Sequence, residues 1–207
     1  MPKSSYLNLP NWITIGRLLA VPVLLVLMLF IDDSSPDVRL NRSLSLASAL
    51  VFTLAMCSDM VDGYLARKKG LSSTFGQFID PLADKMIFLV AMIMMVGLGR
   101  MPAWIVAIFF IREVTVTALR GIAVDEGVVI AASHWGKYKS AFVSSATVGL
   151  LLHYPFFGMQ WRLMAWVLII PSMLLSLGSG LHYAIGFFRE MSRQEAQIRA
   201  IDKIPVE

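Results

Sequence analysis

The stretch Leu44–Arg67, LSLASALVFTLAMCSDMVDGYLAR, decides how the chain is read. It is apolar long enough to cross a bilayer, for which a helix needs about 20 residues, yet its far end carries Asp59 and Asp62. The next apolar stretch opens with Phe75–Lys85, FGQFIDPLADK, and has Asp80, Asp84 and Lys85 at its head. Two apolar segments whose facing ends are acidic describe a membrane hairpin with chemistry at its turn.

Composition extends this to the whole chain. Of 207 residues 57% are hydrophobic and 15% charged, with a mean hydropathy of +0.70. Globular chains are roughly 45–50% apolar and about 25% charged. Apolar segments run over Trp12–Ile31, Leu44–Leu65, Pro81–Leu98, Pro102–Val124, Ser140–Met159 and Leu163–Phe188, with charged or turn-rich breaks between them. The expectation is one all-α domain over residues 1–207, a polytopic membrane protein with six transmembrane helices. No small-residue cleavage pattern follows the first span, so it is expected to be retained. Cys57 is the only cysteine, which excludes a disulfide framework and a cysteine-clustered zinc site. His134, His153 and His182 are scattered singly and are expected to hold no metal.

The net charge of +4 is read as topology, not as affinity for nucleic acid, which is not an expected partner. With six spans, Lys3, Arg17, Arg67, Lys68, Lys69, Arg120, Lys137, Lys139, Arg189, Arg193, Arg199 and Lys203 share the side of both termini. The other side holds only Arg39, Arg42, Arg100 and Arg162. The positive-inside bias puts both termini in the cytoplasm, and the acidic hairpin turn at the cytoplasmic membrane edge. The tail Arg189–Glu207 is expected to be a cytoplasmic surface helix fraying at Pro205.

Asp59 and Asp62 are an i, i+3 pair and Asp80 and Asp84 an i, i+4 pair, so on helices each pair shares a face. Four carboxylates folded together by the intervening loop repel unless cations sit among them. Oxygen donors without His or Cys select hard cations, Mg2+ or Mn2+ among them. Two ions fit four carboxylates, an arrangement that clamps the attacking and leaving oxygens of a phosphoryl-type displacement. Gly63 and Ala66 leave room for a substrate. The alternative is that the acids cap helices, Asp80 before Pro81 being a candidate N-cap. It does not account for Asp59 and Asp62, at a helix's carboxyl end where the macrodipole disfavours negative charge.

The string Asp59-x2-Asp62-Gly63-x2-Ala66-Arg67-x8-Gly76-x3-Asp80-x3-Asp84 resembles the signature of the CDP-alcohol phosphatidyltransferase family at every fixed position. The resemblance implies a membrane enzyme, usually a homodimer of six-helix subunits, in which an alcohol displaces CMP from a CDP-linked substrate. It implies that Asp59, Asp62 and Asp80 hold the metals, that Asp84 contacts metal and acts as base, and that Gly63, Arg67 and Ser73 contact the CDP group.

In the fourth span Arg112-Glu113 lies about 15 Å deep at 1.5 Å per residue, and Glu113 and Arg120 share a helical face. Lys137 and Lys139 follow in the next loop. Cations converging near a metal site fit an anionic acceptor, most simply a phosphate. The rival view is that the lysines only obey the positive-inside bias and that Arg112 pairs structurally with Glu113. Gly136-Lys137 is not a phosphate-binding loop, because the glycine required five residues before Gly136 is Ala131 and no Ser or Thr follows the lysine.

Leu9–Arg17, Ile111–Glu113 through Arg120, and Trp135–Lys139 resemble the bacterial branch of the family that takes sn-glycerol 3-phosphate. Ser140 departs from the threonine frequent there. The resemblance implies CDP-diacylglycerol and glycerol 3-phosphate as substrates in a bacterial inner membrane. Arg112, Arg120, Lys137 and Lys139 then hold the acceptor phosphate, while Asn11, Thr14 and Arg17 help bind the nucleotide. Asn11 as an N-cap and Arg17 as a surface anchor are the alternatives. Other acceptors (inositol phosphate, serine, phosphatidylglycerol) stay open. A cation transporter is the remote alternative, although its acids belong near mid-bilayer in related halves. The small-residue stripe Ala141, Ser145, Gly149 serves internal packing or a dimer.

Overall fold

A computed structural model describes the backbone of residues 9–69, 74–127 and 135–201, and the side chains of 13–58, 82–127, 140–194 and 196. Among these residues the chain is all-helical: α1 (Leu9–Leu29), α2 (Val38–Lys69), α3 (Thr74–Gly97), α4 (Ala103–Asp125), α5 (Trp135–Leu152) and α6 (Trp161–Ile201). An isolated bridge between Phe156 and Met159 is the described exception.

Each expected apolar segment falls in a helix, but several boundaries differ. α2 starts six residues before Leu44 because Asp37 caps it, its Oδ1 accepting from Leu40 N at 3.1 Å. α3 starts at Thr74, so Asp80 and Pro81 lie inside the helix and Asp80 is not its N-cap; the proline forgoes one backbone bond without ending the helix. α5 stops at Leu152, short of Met159. His153, Phe157 and Gly158 have positive φ (53°, 55° and 74°), a conformation no α-helix continues through. α6 runs unbroken to Ile201, so the tail is helical there and continues the sixth helix. Residues 189–201 contain no glycine or proline and are rich in helix formers. At 41 residues α6 is about 62 Å long, twice the roughly 30 Å hydrocarbon core.

Among the described residues Val38–Ser58 and Trp161–Gln194 are long and apolar enough to cross a membrane, and Ile13–Leu29 and Ser140–Leu152 are further apolar helical stretches. Leu29, Phe30, Leu54, Leu163, Val167 and Leu181 are largely exposed. Outward apolar surface of this kind, with two helices of spanning length, has the character of a membrane protein.

The helices form two compact units, Met1–Val106 with Ser144–Ile169, and Ala107–Val143 with Ile170–Glu207. In the first, α1 packs against α2 and α3, and Leu24, Met28, Phe52, Ile87, Met92 and Met95 are fully buried. A Cβ on Gly149 would lie 2.8 Å from Ala165 Cβ and 3.1 Å from the Trp161 carbonyl oxygen, so this glycine lets α5 and α6 touch. Gly149 thus serves internal packing, whereas Ala141 and Ser145 are exposed.

One end of this unit is tied by Arg100, whose side chain is fully buried. Its Nε and Nη2 donate to the two carboxylate oxygens of Asp33 at 2.7 Å each, Nη2 also to Ser45 Oγ at 2.9 Å, and Nη1 to the Leu151 carbonyl at 3.0 Å. Tyr154 donates its hydroxyl to Asp33 at 2.9 Å, and Asn41 exchanges two hydrogen bonds with the Asp32 backbone. The α1–α2, α3–α4 and α5–α6 connections are thereby joined. Burial pushes the Asp33 carboxyl up, but the bonds and charge of Arg100, with Tyr154, outweigh it and hold it below the usual carboxylate range. Burial and then the nearby Asp33 push the Tyr154 hydroxyl up.

In the second unit Ala123 and Phe187 are buried with Leu119 and Met191 packed on them, which joins α4 to α6.

Candidate active site

The acidic motif occupies the end of α2 and the start of α3. Asp59 follows directly on the apolar stretch Val38–Ser58 of α2. Asp59, Asp62, Gly63 and Arg67 follow on the last three turns of α2, and Asp80 and Asp84 sit one turn apart on α3. The side chains of Asp59, Asp62, Arg67, Asp80, Asn11, Lys137 and Lys139, and the α2–α3 connection with Ser73, lie outside the described residues. Asp84 and Lys85 are half-buried beside Ala83 and Ile87, which are fully buried.

Behind the motif, α1 packs on both helices that carry it. Thr14 and Arg17 stand three residues apart on α1 and are 3% and 2% exposed. Arg17 is therefore not a surface anchor. An apolar interior tolerates a guanidinium only where it finds partners, and Arg17 is engaged within the structure.

Arg112 comes from the middle of α4. Its Nη1 donates to Glu113 Oε2 at 3.1 Å, Nε to the Ser176 carbonyl at 3.2 Å and Nη2 to Ser179 Oγ at 3.0 Å. The pairing with Glu113 exists, but α6 supplies the other two bonds. Arg120, exposed two turns along α4, lies with its guanidinium 5.9 Å from the centre of the Tyr183 ring. The structure thus brings Arg112 and Arg120 each against α6.

Among the described residues no three His, Cys, Asp or Glu side chains converge as a metal site; three of the four motif aspartates are not among those residues. The donor set itself, four carboxylates on two successive helices without a cysteine or histidine, has the chemistry of a site for hard divalent cations.

Comparison with known proteins agrees with the motif. Residues 7–176 match the profile of a family described as CDP-alcohol phosphatidyltransferase. The chain belongs to this family. It is 40% identical to a CDP-diacylglycerol--glycerol-3-phosphate 3-phosphatidyltransferase of Bacillus subtilis over 70% of this chain and 77% of that protein. It is 32% identical to a probable phosphatidylglycerophosphate synthase of Mycobacterium tuberculosis over 89% and 83% of the two chains. A CDP-diacylglycerol--glycerol-3-phosphate 3-phosphatidyltransferase of Haemophilus influenzae is 32% identical over 85% of this chain and 91% of that one. All four aspartates, and also Arg112, Arg120, Lys137 and Lys139, fall inside the family match.

Sequence reasoning missed two features. Arg100 was expected only as a charge that reports topology, and the last two spans were given no polar role. The signal for the second was present. An arginine at mid-helix in a membrane chain needs acceptors, and Ser176, Ser179 and Gly180 are the polar and small residues of α6 at i, i+3 and i+4 spacing.

Proposed function

We propose that this phosphatidyltransferase moves the phosphatidyl group of CDP-diacylglycerol onto sn-glycerol 3-phosphate, giving phosphatidylglycerophosphate and CMP in phospholipid biosynthesis. The observation that carries the proposal is the 40% identity to a relative bearing that activity's name, in a chain whose acidic motif sits on α2 and α3.

In the proposed mechanism a glycerol 3-phosphate hydroxyl attacks the phosphorus that carries the diacylglycerol. The new P–O bond forms as the pyrophosphate P–O bond breaks and CMP departs with the electron pair. Asp84 accepts the hydroxyl proton, general-base work worth about 10²–10⁴-fold in rate. Asp59, Asp62, Asp80 and Asp84 would hold Mg2+ or Mn2+, in the proposed arrangement two ions, which when bound supply neutralisation of the pyrophosphate charge. Gly63, Arg67 and Ser73 contact the CDP group, with Asn11, Thr14 and Arg17 behind them on α1. Burial of Thr14 and Arg17 in the helix packed on α2 and α3 supports that assignment. Arg112, Arg120, Lys137 and Lys139 hold the acceptor's phosphate.

The proposal includes one functional domain of six membrane-spanning helices in a bacterial inner membrane, with both termini cytoplasmic, and a homodimer. The Arg100 cluster joins the connections that such a topology puts outside, which supports the six-span arrangement.

The test is CMP release from CDP-diacylglycerol with Mg2+ by the purified protein. Glycerol 3-phosphate, inositol phosphate, serine and phosphatidylglycerol are offered separately, with Asp84→Asn as control. Release with glycerol 3-phosphate alone, lost in the variant, is expected. Release with a different acceptor overturns the assignment of the acceptor, and release with none overturns the activity.

A further inference from the structure

Arg112 is held from α6 in a manner that determines where its guanidinium points. Ser176, Ser179 and Gly180 recur at i, i+3 and i+4, so they share one face of the helix. The Ser176 carbonyl accepts from Arg112 Nε at 3.2 Å, and Ser179 Oγ accepts from Nη2 at 3.0 Å. The Ser179 hydroxyl spends its own proton on the same Ser176 carbonyl at 3.0 Å. Its oxygen therefore presents lone pairs toward the arginine, and the three groups form one coupled set. Gly180 provides the space, since a Cβ there would lie 3.0 Å from Arg112 Cγ and 3.4 Å from Nε. An added methyl there requires Arg112 to give by a few tenths of an ångström at the root of its side chain.

A guanidinium has five N–H donors. Among the described residues three of those of Arg112 are engaged, by Ser176, Ser179 and Glu113, which leaves one on each terminal nitrogen without a described partner. Two parallel N–H groups on a planar fork match two oxygens of a phosphate. The side chain is 14% exposed, so it is largely enclosed yet still reachable.

We propose that Ser179 and Gly180 are positioning residues for acceptor binding. They aim the two remaining N–H groups of Arg112 at the phosphate of the acceptor, and thereby set the affinity for phosphorylated acceptors without touching them. This rests on the assignment of Arg112 to the acceptor phosphate under the proposed function. Ser179 and Gly180 themselves lie beyond residue 176, where the family match ends.

The test compares Ser179→Ala, Ser179→Thr, Gly180→Ala and Arg112→Gln in the full-length protein. Readouts are KM for glycerol 3-phosphate, KM for CDP-diacylglycerol, and Tm. Loss of one hydrogen bond to a charged group corresponds to about tenfold. Ser179→Ala and Gly180→Ala are expected to raise KM for glycerol 3-phosphate about tenfold with KM for CDP-diacylglycerol unchanged, and Ser179→Thr to restore it. Gly180→Ala is the sharper case. Alanine favours helix over glycine, so Tm is expected to hold or rise while KM worsens, a split that a merely structural glycine does not give. If Arg112→Gln raises KM for glycerol 3-phosphate but the α6 variants do not, or if they raise both KM values alike, the positioning role is overturned and the assignment of Arg112 stands. If Arg112→Gln leaves that KM unchanged, the assignment fails and the positioning role falls with it.

Discussion

Arg100, buried, and Arg112, partly buried, are both paired with a carboxylate and both bonded to a serine hydroxyl and a backbone carbonyl. They differ in how completely they are used. Arg100 grips Asp33 with two bonds of 2.7 Å and has a side chain that is 0% exposed, with the Tyr154 ring 5.8 Å away. Arg112 meets the adjacent Glu113 through a single 3.1 Å bond and keeps two N–H groups without a partner among the described residues. With four of its five donors engaged and its side chain fully enclosed, Arg100 has nothing to offer a ligand and acts as a rivet. A guanidinium that is held firmly with donors to spare can bind. In a membrane chain, where any buried charge is costly, counting engaged donors separates the two roles better than burial does.

Removing the rivet gives the largest expected effect on stability. Arg100→Ala takes the guanidinium from Asp33, which among the described residues keeps only the Tyr154 hydroxyl, and from the Leu151 carbonyl and Ser45. Breaking a buried pair by removing one partner costs about 3–5 kcal/mol, which in a chain of this length corresponds to a fall in Tm on the order of 10 °C. Thermal unfolding in detergent checks it. Arg100→Lys is expected to recover only part, since an ammonium cannot reproduce the two-pronged grip. A small Tm change in Arg100→Ala, with activity lost, would reverse the roles given to the two arginines.

Gly149→Ala strikes the same end of the first unit through packing. The added methyl would sit 2.8 Å from Ala165 Cβ and 3.1 Å from the Trp161 carbonyl oxygen. Neither is a flexible side-chain end, so α5 and α6 must separate. Overpacking of this kind costs about 1–3 kcal/mol. The helix propensity gained by alanine, at most about 1 kcal/mol, does not offset it, and Tm is expected to fall by several degrees with KM values unchanged.

Arg112→Lys probes the other side of the comparison. Lysine keeps the charge but loses the planar fork. KM for glycerol 3-phosphate is expected to rise about tenfold, or about 1.4 kcal/mol, while Tm moves by less than for Arg100→Ala. Equal changes in Tm for the two substitutions would show that Arg112 is a second rivet.

How much of this was legible in the sequence follows from the range of the interactions. Six helices could be read off because apolar length is a local property, and the acidic motif because its spacing is local too. Boundaries that depend on a single capping residue, such as Asp37, or on three positive φ values after Leu152, shifted by several residues. Arg100 was opaque because its partners lie 51 to 67 residues away. Nothing in the neighbourhood of Arg100 indicates that Asp33 will face it. The partners of Arg112 are equally distant, at 64 and 67 residues, but there the chemistry of a mid-helix arginine already demanded acceptors.

The smallest expected effect concerns pH and the surroundings of Arg100. His153 sits in the α5–α6 connection with φ of 53°, and its Nδ1 is shielded from solvent without a partner among the described residues. Burial first, and then the charge of Arg100, push this imidazole below its ordinary value of 6.5; Arg162 adds to this and Asp33 opposes it. Between that lowered value and about 6.5 the unfolded chain binds more protons than the folded one, so stability rises with pH across this window. The contribution of His153 is complete above about pH 6.5 and is lost as pH falls toward the folded value. Because the group is half-exposed, the change is small, about 1–2 °C in Tm. His153→Asn keeps a residue that tolerates positive φ and removes the titration. Its Tm is expected to be flat from pH 7 to 5.5 where that of the parent declines. Asp33 remains in the variant with its carboxyl held low, so its stabilisation, present above about 3.9, is lost only as pH falls further, through its folded value. A variant that still declines between pH 7 and 5.5 would place the sensitive group elsewhere and leave Arg100 without a titrating neighbour in that range.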